Sequence, residues 1–176
     1  MSEAQGSTKP DSHFRVGVVV ARRKLKGPWA DAAWSPHAVL PTAPEVAPWT
    51  SLGRADDDEL FYAGPVDVEL HPASTAHYRD NLTAARPSVW VSLRQVGVEE
   101  VEVAAVTVDP YEGEALAEGM SEIVEAVPMP PEIAERLSAY FAAFHVERQF
   151  FKRRRDRADP DALGRRSRVE RDGEDE

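Results

Sequence analysis

The sequence predicts an α+β protein: a mainly antiparallel sheet of five or six strands, a C-terminal amphipathic helix packed on one face, and a charged tail. Three observations carry this reading. β-branched runs with period-two alternation recur along the chain, punctuated by Gly and Pro. Two of those runs meet across Gly97 at hairpin spacing, which makes the pair antiparallel. Near the end, Ile133, Leu137, Tyr140, Phe141 and Phe144 form one apolar stripe at helical spacing.

The elements follow in order. Residues 1–12 are small and polar and read as a disordered lead, 13–151 as a single domain, and 152–176 as a basic, then mixed-charge tail, largely disordered. "FRVGVVVARR", 14–23, places Phe14, Val16, Val18 and Val20 on one face of a central strand. "GPWADAAWSP", 27–36, is broken by Pro28 and Pro36 and is expected to form a rigid corner and no regular element, followed by a short extended piece at 37–41. Residues 41–59, with three prolines and four consecutive acids, are expected to form a loop of about 18 residues. Residues 60–72 read as a short strand, a break at Gly64-Pro65, and a second strand with Val66, Val68 and Leu70 on one face.

A short helix follows, capped by Ser74 or Thr75 and ended before Pro87. In "SVWVSLRQV", 88–96, Val89, Val91 and Leu93 alternate with Trp90, Ser92 and Arg94, and 100–108 is its partner strand. Asp109 caps the next helix, with Pro110 at its first position and Gly119 past its end. A strand through "SEIVEAVPMP" and the striped helix complete the order β-β-β-α-β-β-α-β-α, with the helix over the sheet.

Composition narrows the chemistry. The 176 residues include no cysteine, so there is no disulfide framework, thiolate metal site or cysteine nucleophile. A net charge of −10 gives no overall attraction to nucleic acid. The longest apolar run, "VGVVVA", is far too short to span a bilayer. The twin arginine in "ARRKLK" lacks the apolar stretch of an export signal, so the expected location is the cytoplasm. His13, His37, His71, His77 and His145 show no metal-ligand spacing, and the acidic run lacks the pattern of a calcium loop. There is no GxSxG, Walker loop or GxGxxG, and the chain is expected to be non-enzymatic, with no metal and no cofactor.

Charge and aromatics supply the candidate site. Residues 41–147 hold 20 acids against 5 Lys and Arg, and the bases cluster outside them. Arg22, Arg23 and Lys24 form one group; Lys152, Arg153, Arg154, Arg155 and Arg157 form another. Each reads either as a solvated end or as an arm that docks an acidic partner or a phosphate. Trp29 and Trp34 stand beside the first group, and indoles there either plug a core edge or serve an interface, where Trp and Arg are favoured anchors. These ten residues are the partner-binding candidates, for a protein and for neither nucleic acid nor membrane.

The segments "VGVVVARRKLKGPWADAAWSPHAVLP", "NLTAARPSVWVSLR", "VTVDPYEGEALAEG", "EIVEAVPMPPEIAERL" and "FFKRRRDRADPDALG" occur in this order. Together, over residues 14–164, the chain resembles an uncharacterised family of proteobacterial proteins, a domain of unknown function. The resemblance implies a setting: members are typically encoded beside genes for molybdenum-dependent formate dehydrogenase and its maturation factors. It implies an accessory role in assembly or cofactor maturation of that enzyme, with its subunits or maturation factors as partners. It assigns no residue a role. The chain lacks the ligands of an iron–sulfur or haem carrier, so electron transfer is not expected. The alternative is a module that binds an anionic small molecule such as a pterin dinucleotide, with indoles stacking on rings and bases meeting phosphate.

Overall fold

A computed structural model describes residues 9–27 and 32–146. It is α+β, with seven strands in two antiparallel sheets where one sheet of five or six was expected. Strands β1 (His13–Lys24), β2 (Ala32–Leu40), β3 (Thr50–Ala55) and β4 (Asp58–Glu69) form the first sheet in the order β2-β1-β4-β3. After helix α1 (Thr75–Thr83), strands β5 (Ser88–Gln95) and β6 (Val101–Thr107) form a hairpin. Helix α2 (Pro110–Glu118) leads to β7 (Glu122–Pro128), and the second sheet has the order β6-β5-β7. Helix α3 (Pro131–Phe144) closes the described fold. Among the described residues no helix is long and apolar enough to cross a membrane.

The extra strands arise where proline and glycine had argued for irregular chain. Pro36 lies inside β2, which is an edge strand and carries a bulge beside it, opposite Val19 and Val20. An edge strand at a bulge tolerates a residue without an N–H. Gly64 and Pro65 do not break β4 either. Gly64 takes φ 128° at a second bulge, opposite Val18 and Val19. The β3 pairing extends only as far as Tyr62, so β4 continues past Pro65 with a neighbour on one side. The acidic run is no loop: Asp56 and Asp57 turn between β3 and β4, while Asp58 and Glu59 already belong to the ladder.

One core joins the parts. Phe14, Val16, Val18 and Val20 of β1 share it with Val68 of β4 and with Val89, Val91 and Leu93 of β5. Ile133, Leu137 and Tyr140 of α3 complete it, as the stripe predicted, whereas Phe141 and Phe144 stay half-buried. The Tyr140 hydroxyl donates to the Leu70 carbonyl at 3.0 Å. On the opposite face of the second sheet, α2 lies so close to Trp90 that Gly113 leaves no room for a side chain. Asp109 caps that helix as expected, accepting from the amides of Tyr111 and Glu112. Helix α1 has no side-chain cap. Instead Asn81 fastens it to the second sheet, donating to the carbonyls of Ser88 at 2.8 Å and Val108 at 2.7 Å and accepting from the Ser88 amide.

Candidate functional site

The two sheets differ in length. β1 and β4 each run 12 residues and β5 runs 8, a difference of about 13 Å at about 3.3 Å per residue. At the Arg22 end the inner face of the first sheet overhangs its cover, leaving Arg22, Trp34 and Phe61 half-buried where Val16, Val18 and Val20 are buried. Alternation carries that face from Val18 and Val20 to Arg22, and pairing adds Phe61 beside Val20 and Trp34 beside Arg22. The β5–β6 turn, 96–100, reaches across part of this overhang.

Between the turn and the sheet lies a groove of about 490 Å³, lined by Trp34, Trp49, Phe61, Val96, Val101 and three glutamates, Glu99, Glu100 and Glu102. Trp34 is half-buried, and its Nε1 donates to the Glu99 carbonyl at 3.1 Å. Its ring meets Trp49 edge-on at 5.7 Å and Phe61 at 5.6 Å between centroids. Trp34 thus packs against the core edge and lines the groove wall. Trp49 is 41 % exposed and has φ 68°. A bulky residue in the left-handed region is strained by about 1–3 kcal/mol, and such strain gathers at binding and switch positions.

The basic lead-in is tied to acids of the same molecule. Arg22 lies 3.1 Å from Glu99 and 3.6 Å from Glu59, and 5.9 Å over the Trp34 ring. Arg23 makes a two-pronged contact with Asp58 at 2.7 and 2.9 Å. That hydrogen-bonded contact holds the Asp58 carboxyl below the usual carboxylate range. Lys24 is exposed at the strand end. Trp29 lies outside the described residues, as do Lys152, Arg153, Arg154, Arg155 and Arg157. Of the ten candidates, Arg22 and Trp34 are brought together at the groove. The sequence reading missed Trp49, Phe61 and the β5–β6 turn as partners of Trp34. Parity along β4 argued against Phe61, because it sets residue 61 on the face opposite Val66 and Val68; the bulge at Gly64 turns it onto theirs, opposite Val20.

A second cavity, about 340 Å³, lies between α1 and α2 over Trp90 and includes Arg86, Ser88, Tyr111 and Glu114. Beside it, His77 Nδ1 is 2.8 Å from Asp109 Oδ2, and its ring packs on Tyr111 at 4.3 Å. A carboxylate that orients a histidine is half of a general-base arrangement, but no hydroxyl of the described residues is hydrogen-bonded to His77. No group of three or more metal-ligating side chains occurs among the described residues.

Residues 15–155 match the family described as "Protein of unknown function (DUF3305)". No curated protein and no solved structure matches the chain.

Proposed function

The chain belongs to the DUF3305 family of proteins of unknown function, and on that premise we propose that it is a non-enzymatic, cytoplasmic accessory protein that docks a partner protein at the groove beside Trp34. One observation carries this reading: the apolar inner face of the first sheet extends past its cover and ends in half-exposed indoles. Exposed aromatic surface set in a concave wall is the usual material of an interface anchor. The strained backbone at Trp49 adds to it.

The proteobacterial resemblance supplies the setting. The partner is a subunit or maturation factor of molybdenum-dependent formate dehydrogenase, and the role is assembly or cofactor maturation. An anionic ligand such as a pterin dinucleotide suits this groove less well. It would face Glu99, Glu100 and Glu102, and the nearest base, Arg22, already sits between two carboxylates.

The test is affinity purification at native expression, with mass spectrometry of what co-elutes, for the wild type and Trp34→Ala. Dehydrogenase subunits or their maturation factors should accompany the wild type and be lost from a folded variant. The same set from both proteins, or no such protein from either, would count against the reading. Charge reversal of Arg153, Arg154 and Arg155, in parallel, reports whether the basic arm contributes.

A further inference from the structure

We infer that the occupant of the groove is a short arginine-bearing segment of the partner protein, with its guanidinium set against the Trp34, Trp49 and Phe61 rings and facing the glutamates of the β5–β6 turn. This rests on the docking reading and adds the chemistry of what docks.

Ring geometry is the first support. Trp34 and Trp49 are inclined at 79° and Trp34 and Phe61 at 56°. Rings so inclined form a corner and not a stack. Aromatic faces carry partial negative charge, and a cation within about 6 Å of a ring centroid is attracted to it. The molecule already contains one instance: the Arg22 guanidinium lies 5.9 Å over Trp34 while bonding to Glu99.

Charge is the second. Glu99 is engaged by Arg22, and Glu102 lies 3.3 Å from Arg94. Glu100 has no ion pair among the described residues and is exposed at the rim. Carboxylates outnumber bases around the apolar floor, so an incoming cation gains and an incoming anion loses.

Size and hydration are the third. About 490 Å³ falls within the range of ordinary ligand clefts and exceeds one side chain, which suits a segment of several residues. Val96 and Val101 offer contact to the aliphatic stem and to an apolar neighbour. Arginine suits the site better than lysine, because its planar, weakly hydrated head stacks on rings and bonds carboxylates together.

The probes are three end-blocked octapeptides of alanine and one leucine. They carry three arginines, three citrullines (the neutral isostere) or three glutamates. Each is titrated into the full chain at low salt, followed by tryptophan fluorescence and calorimetry. The arginine peptide should bind at least about tenfold more tightly than the citrulline peptide. Glu100→Lys, at an exposed position, should weaken it by about tenfold with urea unfolding unchanged. Equal binding of the citrulline or glutamate peptide, full affinity in the variant, or no binding of the arginine peptide would each overturn the inference. Co-purification separates the two readings. Partners lost with Trp34→Ala but kept with Glu100→Lys leave docking intact and remove arginine recognition. Partners kept in both variants remove the docking reading itself.

Discussion

Replacing Gly113 by alanine sets two effects of opposite sign against each other. Gly113 is the fourth residue of α2, inside the helix, and alanine there is favoured over glycine by about 1 kcal/mol. Yet a Cβ at this position would lie 2.5 Å from both Cδ1 and Cδ2 of Trp90. Carbon atoms rest at about 3.5–4.0 Å, so the helix must retreat by about 1 Å or more. Trp90 cannot retreat instead, because β5 is the central strand of its sheet, held by β6 and β7. Overpacking of this kind costs about 1–3 kcal/mol, and the depth of the overlap places it at the upper end.

The helix also carries Tyr111, which packs on His77. The expected net loss is about 2 kcal/mol, a fall of about 4–8 °C in Tm for a chain of this size. Equilibrium urea unfolding measures it as a lower midpoint at constant slope. The same substitution in a Trp90→Ala background should change sign, because the obstruction is gone and helix propensity remains. An increase in stability in the native background, or an equal loss in both, would refute the close-approach argument.

Three further outcomes are expected. Tyr140→Phe removes the donor to the buried Leu70 carbonyl and should cost about 1–3 kcal/mol in urea unfolding; an unchanged midpoint would show that the carbonyl finds another partner. Glu122 is held below the usual carboxylate range, first by the Ser92 hydroxyl and then by Arg94. Its folded pKa lies under its unfolded one, so its contribution is full only above the unfolded value of about 4.3 and is lost as pH falls from there through the folded value. The stability gap between wild type and Ser92→Ala should therefore narrow in acid, and a gap independent of pH would contradict the assignment. Trp49→Gly relieves a left-handed backbone worth about 1–2 kcal/mol and forfeits an edge contact with Trp34 worth about 0.5–1.5 kcal/mol. The partial burial of the indole is lost as well, so stability should fall by no more than about 2 kcal/mol, while partner co-purification is lost; a larger fall would mean that Trp49 is structural.

Strong local signals carried much of the fold. The parity of Val16, Val18 and Val20, the Asp109-Pro110 helix start and the α3 stripe through Ile133, Leu137 and Tyr140 are each set by neighbours in sequence and match the structure, while Phe141 and Phe144 of that stripe are half-buried. What sequence reading missed depended on tertiary placement. Pro36 and Gly64-Pro65 look like breaks until their strands are known to sit at an edge or a bulge. Two sheets were read as one because alternation gives a strand's inner face but not the sheet that owns it. At the site, Trp34 and Arg22 were visible as a pair of residue types. Their relation to Trp49 and to Glu99, 65 residues from Trp34, comes from the unequal lengths of strands that meet only in the folded chain.

Helix α1 shows how far its local structure depends on the rest of the molecule. Nine residues, four of them Thr, Asp or Asn, and no side-chain cap give it little tendency to form in isolation. The Asn81 side chain spans from this helix to the first residue of β5 and to Val108, just past β6. The helix is therefore expected to gain most of its stability when the hairpin closes and to open together with it. Its amides should exchange with solvent at the rate of global unfolding, slower than its length and composition suggest. Asn81→Ala should uncouple the two, leaving α1 amides that exchange by local fraying while the strands stay protected.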